Sequence, residues 1–419
     1  MEEKFLHYLW KFRLFNPELR AVSGEEVVVL HPGIHNTNSG PDFLHARIRI
    51  GGTVWAGNVE IHSLSSDWFR HKHHLDSSYD NVILHLVYRL EPAMNPPDIP
   101  TVEAKGQFSE DILERYELMM KNTRWIPCSH SLGSSLQEDL TLWNPSLVIE
   151  KIERKCDEIR LLWEACGHNW EECFYRFLSS GFCFRINSHP FELLARSLPL
   201  KHLKRNAVSR TLLEALLFGQ AGMLEGTFHD PYPVQLSREY QFLSAKYGLS
   251  KPTGIQWRFL RLRPSNFPTI RISQFASLIE VTSGSLYQII DPPDEVNIRQ
   301  SFTLTASSYW DEHFMFDRYS PKRTKILGES SRLLLMINVV VPFLFFAGSE
   351  RRISHFRDKS LELLESLKGE INPEITRWKD AGMETDDAFK TQGLLHLKRV
   401  YCDHRRCLEC RLGLKILSK

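Results

Sequence analysis

An excess of charge of either sign is the first thing this 419-residue chain lacks: 52 Lys and Arg face 51 Asp and Glu, for a net charge of +1. Any nucleic-acid surface is therefore a local patch rather than a property of the whole molecule. A long apolar run is missing as well. The longest, residues 333–348, holds 16 residues and contains Asn338 and Pro342, whereas a bilayer-spanning helix needs roughly 20 apolar residues. It reads as a buried core segment, and no membrane partner is expected. The opening Met1-Glu2-Glu3-Lys4 is acidic and lacks the basic-then-apolar layout of a secretory leader. Repeats and low-complexity linkers are absent. So are the GxSxG elbow, the P-loop, GxGxxG and HExxH, which removes nucleotide-driven and serine-nucleophile chemistry from the expectations. The eight cysteines are either scattered through helix-like sequence or clustered at the tail. That pattern points to a reduced, cytoplasmic protein rather than a disulfide scaffold.

The patterning that is present divides the chain. Residues 4–15 are apolar around most of a helix circumference. Val27-Val28-Val29-Leu30 is a short β-branched strand. Residues 43–50 alternate, with Leu44, Ala46, Ile48 and Ile50 on one side and His45, Arg47 and Arg49 on the other. Gly51-Gly52 then predicts a hairpin turn into a strand over 53–62, and Val82–Tyr88 is a further, more buried strand. The stretch 67–79 is expected to be partly helical. Pro92, Pro96, Pro97 and Pro100 break the pattern. From about 136 the spacing turns helical, at 142–163, 171–179, 210–224, 239–246, 272–280 and 361–368. The expected class is α+β: an α/β domain over 1–125, a larger mostly helical domain over 126–395 and a Cys-rich tail over 396–419.

Residues 40–62 carry the clearest chemistry. Asp42 opens one strand in Gly40-Pro41-Asp42, and Glu60 lies on the next in Glu60-Ile61-His62. Two carboxylates on adjacent strands bring oxygen ligands to one divalent cation, Mg²⁺ or Mn²⁺. Glu60 and His62 share a strand face because side chains alternate with period two.

This layout resembles the PD-(D/E)XK nuclease superfamily over roughly residues 1–90. The resemblance implies an αβββαβ-like core, metal binding by Asp42 and Glu60, and hydrolysis of phosphodiester bonds in DNA or RNA. His62 stands where that superfamily has a Lys that positions or activates water, and Lys72 is a candidate to serve instead. Glu3, on the first helix, is the candidate for a further acidic residue. The strings Asn38-Ser39-Gly40-Pro41-Asp42-Phe43, Gly57-Asn58-Val59-Glu60-Ile61-His62, Ser66-Asp67-Trp68 and Asn81-Val82-Ile83-Leu84-His85 also resemble an uncharacterised family of bacterial, Bacteroidetes-type proteins, as does the cysteine tail. The alternative to an enzyme is a degenerate nuclease fold that binds nucleic acid or protein without catalysis.

Nine of the 18 histidines fall within the first 90 residues: His7, His31, His35, His45, His62, His71, His73, His74 and His85. A histidine zinc centre is the rival chemistry there, with His62 and His73 the foremost candidates. His73 and Lys72 are expected to contact a phosphate. Arg258, Arg261, Arg263 and Arg271 interleave with Phe259 and Phe267, a pattern suited to phosphates and stacked bases. Arg261 and Arg263 are the candidate contacts. Cys402-x4-Cys407-x2-Cys410 supplies three thiolates for Zn²⁺ or an iron–sulfur cluster, with Cys128 or His404 as the fourth ligand. Some RecB-like nucleases carry such a cluster on one distant and three C-terminal cysteines, a further resemblance.

Overall fold

The computed structural model describes residues 1–91, 97–250 and 252–418, the side chains of residues 134, 135, 184 and 185 excepted. Pro92 and Pro96 lie outside the described residues. Two compact units result, one of Met1–Trp143 with Leu397–Lys419 and one of Asn144–His396. The tail expected to stand alone over 396–419 is thus part of the first unit. A helix of seven residues does not hold together in water by itself. Here Arg411–Leu417 buries Leu412, Ile416 and Leu417 and packs on the helix Glu110–Lys121, where Arg115 donates to the Leu417 carbonyl at 3.5 Å.

In the first unit, α1 (Glu3–Phe12) buries Phe5, Leu6, Tyr8, Leu9 and Trp10. It ends a turn earlier than the apolar pattern predicts. Arg13 takes a left-handed conformation, φ 54°, and its N–H closes on the Trp10 carbonyl, the usual way to satisfy the last carbonyls of a helix. The sheet contains β1 (Val27–His31), β2 (Ile34–His35), β3 (Phe43–Ile50), β4 (Thr53–Leu64), β5 (Val82–Arg89) and β6 (Thr101–Glu103). The strand order is β1-β3-β4-β5-β6, with β2 paired to β3. β1, β3 and β4 run antiparallel, whereas β5 is parallel to β4 and β6 to β5. Reaching a parallel strand requires a crossover, here supplied by α2 (Asp67–Arg70) and two single turns, His73–Leu75 and Ser77–Tyr79.

The alternation in β3 predicts Leu44 in the core. Instead Phe43 is fully buried and Leu44 half-buried, because a bulge between Phe43 and Ala46 carries His45 at φ 59°. One inserted residue reverses which side chains face inward. Phe43 then pairs with Val59 on the core side, so Asp42 falls on the face shared by Glu60 and His62.

The second unit is helical, around a core that includes Phe174, Phe182, Phe191, Phe275 and Phe343. The run 333–348 lies within the helical stretch Glu329–Glu350, whose most apolar window is 67% buried, as expected of a core helix. Its backbone widens into a π turn at Met336–Val340, directly before Pro342. Pro offers no N–H and crowds the preceding turn, and the wider turn accommodates it.

Gly57 in β4 tests how tightly the site-bearing strands are held. A Cβ there would stand 2.5 Å from Ile83 Cγ2 and 2.6 Å from the Asn81 carbonyl, so β4 and β5 would have to separate. Gly57→Ala is expected to cost about 1–3 kcal/mol, read as a lower denaturant midpoint. An unchanged midpoint would show that the strands have slack.

Candidate metal centre

On β4, Val59 and Ile61 enter the core while Glu60 and His62 face the crossover. Parallel pairing sets His85 of β5 opposite Glu60. The crossover adds His71 and His73, with exposed Lys72 between them at φ 63°. The ligand atoms of His62, His71 and His73 all lie within 4.8 Å of one another. His62 Nε2 is 3.3 Å from His71 Nδ1 and 3.4 Å from Glu60 Oε1, and His73 Nε2 is 3.3 Å from the same carboxylate oxygen. Donors about 2.0–2.1 Å from a tetrahedral ion sit about 3.4 Å apart, and these separations match that spacing. His73 Nε2 is buried without a hydrogen-bond partner. A buried, unpaired imidazole nitrogen aimed at a carboxylate is what a metal ligand looks like without its ion, so the residues fit a divalent cation.

Asp42 joins from the residue just before β3. Its N–H donates to Glu60 Oε2 at 3.1 Å, and Ile61 N–H donates back to Asp42 Oδ2 at 2.9 Å. The carboxylates therefore interlock across the β3–β4 pair rather than diverge. His7 Nε2 of α1 stands 3.3 Å from Asp42 Oδ2, and Glu3 Oε1 accepts from Ser63 N–H at 3.4 Å. Behind the centre, His62 Nδ1 and His85 Nε2 are 2.8 Å apart. If His62 Nδ1 carries the proton and donates it, His62 Nε2 keeps its lone pair toward the centre, the role an outer partner plays for a metal-bound histidine.

Burial and the charge of Asp42 push the Glu60 carboxyl up to about 9. Burial, then His85, His73 and His71, push His62 down to about 2, and burial pushes His85 down to about 3. Without a cation, Glu60 is protonated and these histidines are neutral at neutral pH, so their contacts are not ion pairs. A metal ion reverses that balance by favouring the ionised carboxylate.

The other candidates fall elsewhere. Arg261 and Arg263 are exposed in the second unit, and Arg271 is buried there, bonded to Asn266, Gln274 and Ser331. That makes Arg271 a core residue rather than a phosphate contact. His45 is exposed on the bulge. His404 is exposed in the tail, while Cys128 is buried, within electrostatic reach of Cys402, Cys407 and Cys410. His7 and His85 carried no local motif. The one signal for His85 was an imidazole inside an otherwise apolar strand, Val82-Ile83-Leu84-His85-Leu86-Val87.

The residues that build this centre all lie within one matched stretch. The chain belongs to the family described as "Protein of unknown function (DUF2851)", whose model matches residues 3–373. The match takes in Asp42, Glu60, His62, His71, His73 and Cys128, and stops short of Cys402. No curated protein and no solved structure matches the chain.

The buried carboxyl gives a signed pH effect. A group whose folded pKa lies above its unfolded value contributes stability below the unfolded value and loses it as pH rises through the folded one. For Glu60 that window runs from 4.5 to about 9. In EDTA, Glu60→Gln is expected to gain on the wild type as pH rises through this window, by up to about 1.4 kcal/mol per pH unit, in denaturant unfolding. A constant difference between the two proteins would mean that Glu60 is not held protonated.

Proposed function

We propose that the first unit is a metal-dependent phosphodiesterase acting on DNA or RNA, with Glu60, His62, His71 and His73 as metal ligands and Asp42 beside them. The observation that carries this is the convergence of the ligand atoms of His62, His71 and His73 within 4.8 Å of one another, with Glu60 Oε1 3.4 Å from His62 Nε2 and 3.3 Å from His73 Nε2. The order of one helix, three antiparallel strands, a helical crossover and a parallel strand supports the PD-(D/E)XK likeness. Eight free cysteines support a cytoplasmic setting.

The nitrogen-rich donor set suits Mn²⁺ or Zn²⁺ better than Mg²⁺, which prefers oxygen. Such an ion supplies Lewis-acid polarisation of a phosphoryl oxygen and lowers the pKa of water. The chain's own groups do the rest. A histidine pushed down to about 2 is too weak a base to take a proton at neutral pH, so His62 serves as a neutral ligand held by His85. Asp42, fixed by Ile61 N–H, is the carboxylate left to accept the proton of the attacking water, with His7 3.3 Å away. Arg70, whose side chain is 65% exposed, and exposed Lys72 stand at the rim to grip phosphate.

Labelled single- and double-stranded DNA and RNA, offered with Mn²⁺, Zn²⁺ or Mg²⁺, test this. Cleavage is expected with Mn²⁺ or Zn²⁺. Asp42→Asn should lower the rate about 100-fold with metal content retained, and His73→Ala should weaken metal binding about 10–100-fold. Nucleic-acid binding without cleavage under any of these metals would favour the non-catalytic module.

A further inference from the structure

In the first unit, β5 lies beside β4 only from Asn58 onward. Nearer its tip the β3–β4 hairpin is covered on one face. Ala46, Ile48 and Ile50 are buried there, whereas Arg47 and Arg49 are exposed. An antiparallel pair can leave its second face to water in this way.

Register fixes which face is open. Arg47 pairs with Ala56 and Arg49 with Val54. Residues directly opposite in a ladder share a face, and so do residues two apart on one strand. Val54, Ala56, Asn58, Glu60 and His62 are therefore one row along β4, and the two arginines stand beside its outer end. The bulge at His45 brings Asp42 onto the same face. Five residues separate Asp42 from Arg47, which would set them on opposite faces of a regular strand, and one inserted residue corrects this. Asn58 Oδ1 accepts from the His45 N–H at 3.2 Å and pins the bulge.

This outer end is open and positive. Ala56 is exposed and Val54 is 52% exposed, so small apolar side chains face the guanidiniums across the ladder. Among the described residues, neither Arg47 nor Arg49 has an ion-pair partner. The acidic groups of this end, Glu25 and Glu26, lie beyond it at the hairpin turn, where the Glu26 carbonyl accepts from Gly51 N–H. Past the other end of β4, Asp67 accepts from Leu64 N–H, and Arg70 and Lys72 follow on the crossover. Cations thus stand at both ends of the row that carries Glu60 and His62.

On the phosphodiesterase reading above, from which this follows, we propose that Arg47 and Arg49 hold successive phosphates of a single nucleic-acid strand whose scissile phosphate lies at the metal centre. Spacing and chemistry carry the inference. A strand rises about 3.3–3.4 Å per residue, so the arginines stand about 6.7 Å apart, and Val54, opposite Arg49, is about 20 Å from Glu60. The substrate must then run about three steps of that length past the cleaved bond on the hairpin side. The two guanidiniums lie on one line along β3, which suits one strand, whereas a duplex presents two lines of phosphates. Guanidinium grips phosphate bidentately, and contacts to the backbone leave the base sequence unread.

The test is fluorescence anisotropy of labelled oligo(dT) and oligo(U), 4 to 16 nucleotides long, with the full chain in EDTA so that nothing is cleaved. Both are expected to bind alike, and more tightly as length increases. Each phosphate contact on a single strand contributes a salt slope of about −0.7, so Arg47→Ala and Arg49→Ala should each flatten the slope by about 0.7 and weaken binding about five-fold at 0.1 M salt. Arg49→Lys keeps the charge and should keep the slope. Arg154→Ala, at an exposed position of the second unit, should change neither. A wild-type slope in both alanine variants would overturn the proposal, as would tighter binding of a duplex than of the strand. Wild-type hydrolysis of bis(p-nitrophenyl) phosphate with Mn²⁺ or Zn²⁺ reads the centre alone, because that diester is too short to reach the hairpin. Hydrolysis beside unchanged alanine slopes would remove the strand contact and leave the phosphodiesterase. Arginine-dependent binding without hydrolysis would remove the phosphodiesterase and leave the strand contact.

Discussion

Two reciprocal hydrogen bonds organise the candidate centre. Asp42 N–H to Glu60 Oε2 and Ile61 N–H to Asp42 Oδ2 make each carboxylate a ligand of the other strand's backbone. The two carboxyl groups are thereby held in fixed positions, with little side-chain freedom left. The same interlock explains why Glu60 tolerates burial beside a second carboxyl: one of its oxygens is already satisfied, and the other faces His62 and His73.

Around that interlock the first unit arranges imidazoles in depth. His62, His71 and His73 gather at the centre, with His85 behind His62 and His7 beside Asp42. The rings also pack on one another and on Trp68 and Tyr79; His62 stacks on His73 at 5.2 Å, and His73 lies tilted against Tyr79 at 3.9 Å. Aromatic walls hold the rings in fixed orientations and exclude water, which is why His62 and His85 stay neutral. The cysteine-bearing tail follows a different logic. There, Arg405 reaches back to the Asn122 carbonyl across 283 residues, while Asn122 ties down its own loop at Pro127, and the tail completes the first unit instead of extending from it.

Much of this was legible along the chain. The alternation of β3 and β4, the hairpin at Gly51, the position of Asp42 and Glu60 on neighbouring strands and the helical second unit all follow from side-chain period and turn chemistry. What was not legible has specific causes. The bulge at His45 inserts a residue that no composition rule marks, and it exchanges Phe43 for Leu44 in the core. Arg271 sits in a basic run that reads as surface, yet it is buried among three side-chain partners. His62 reads as a substitute base, but burial among other imidazoles makes it a neutral group, better suited to holding a metal.

By itself the sequence determined where the strands lie, where the hairpin closes, and that two carboxylates and a run of histidines lie close along the chain, because those properties depend on neighbours a few residues apart. Only the tertiary structure decided that His85 stands behind His62, that His7 reaches Asp42, and that Arg405 of the tail bonds to the Met120 and Asn122 carbonyls. These contacts depend on which strand lies parallel to which and on where distant loops are strapped together, and local periodicity carries no record of either.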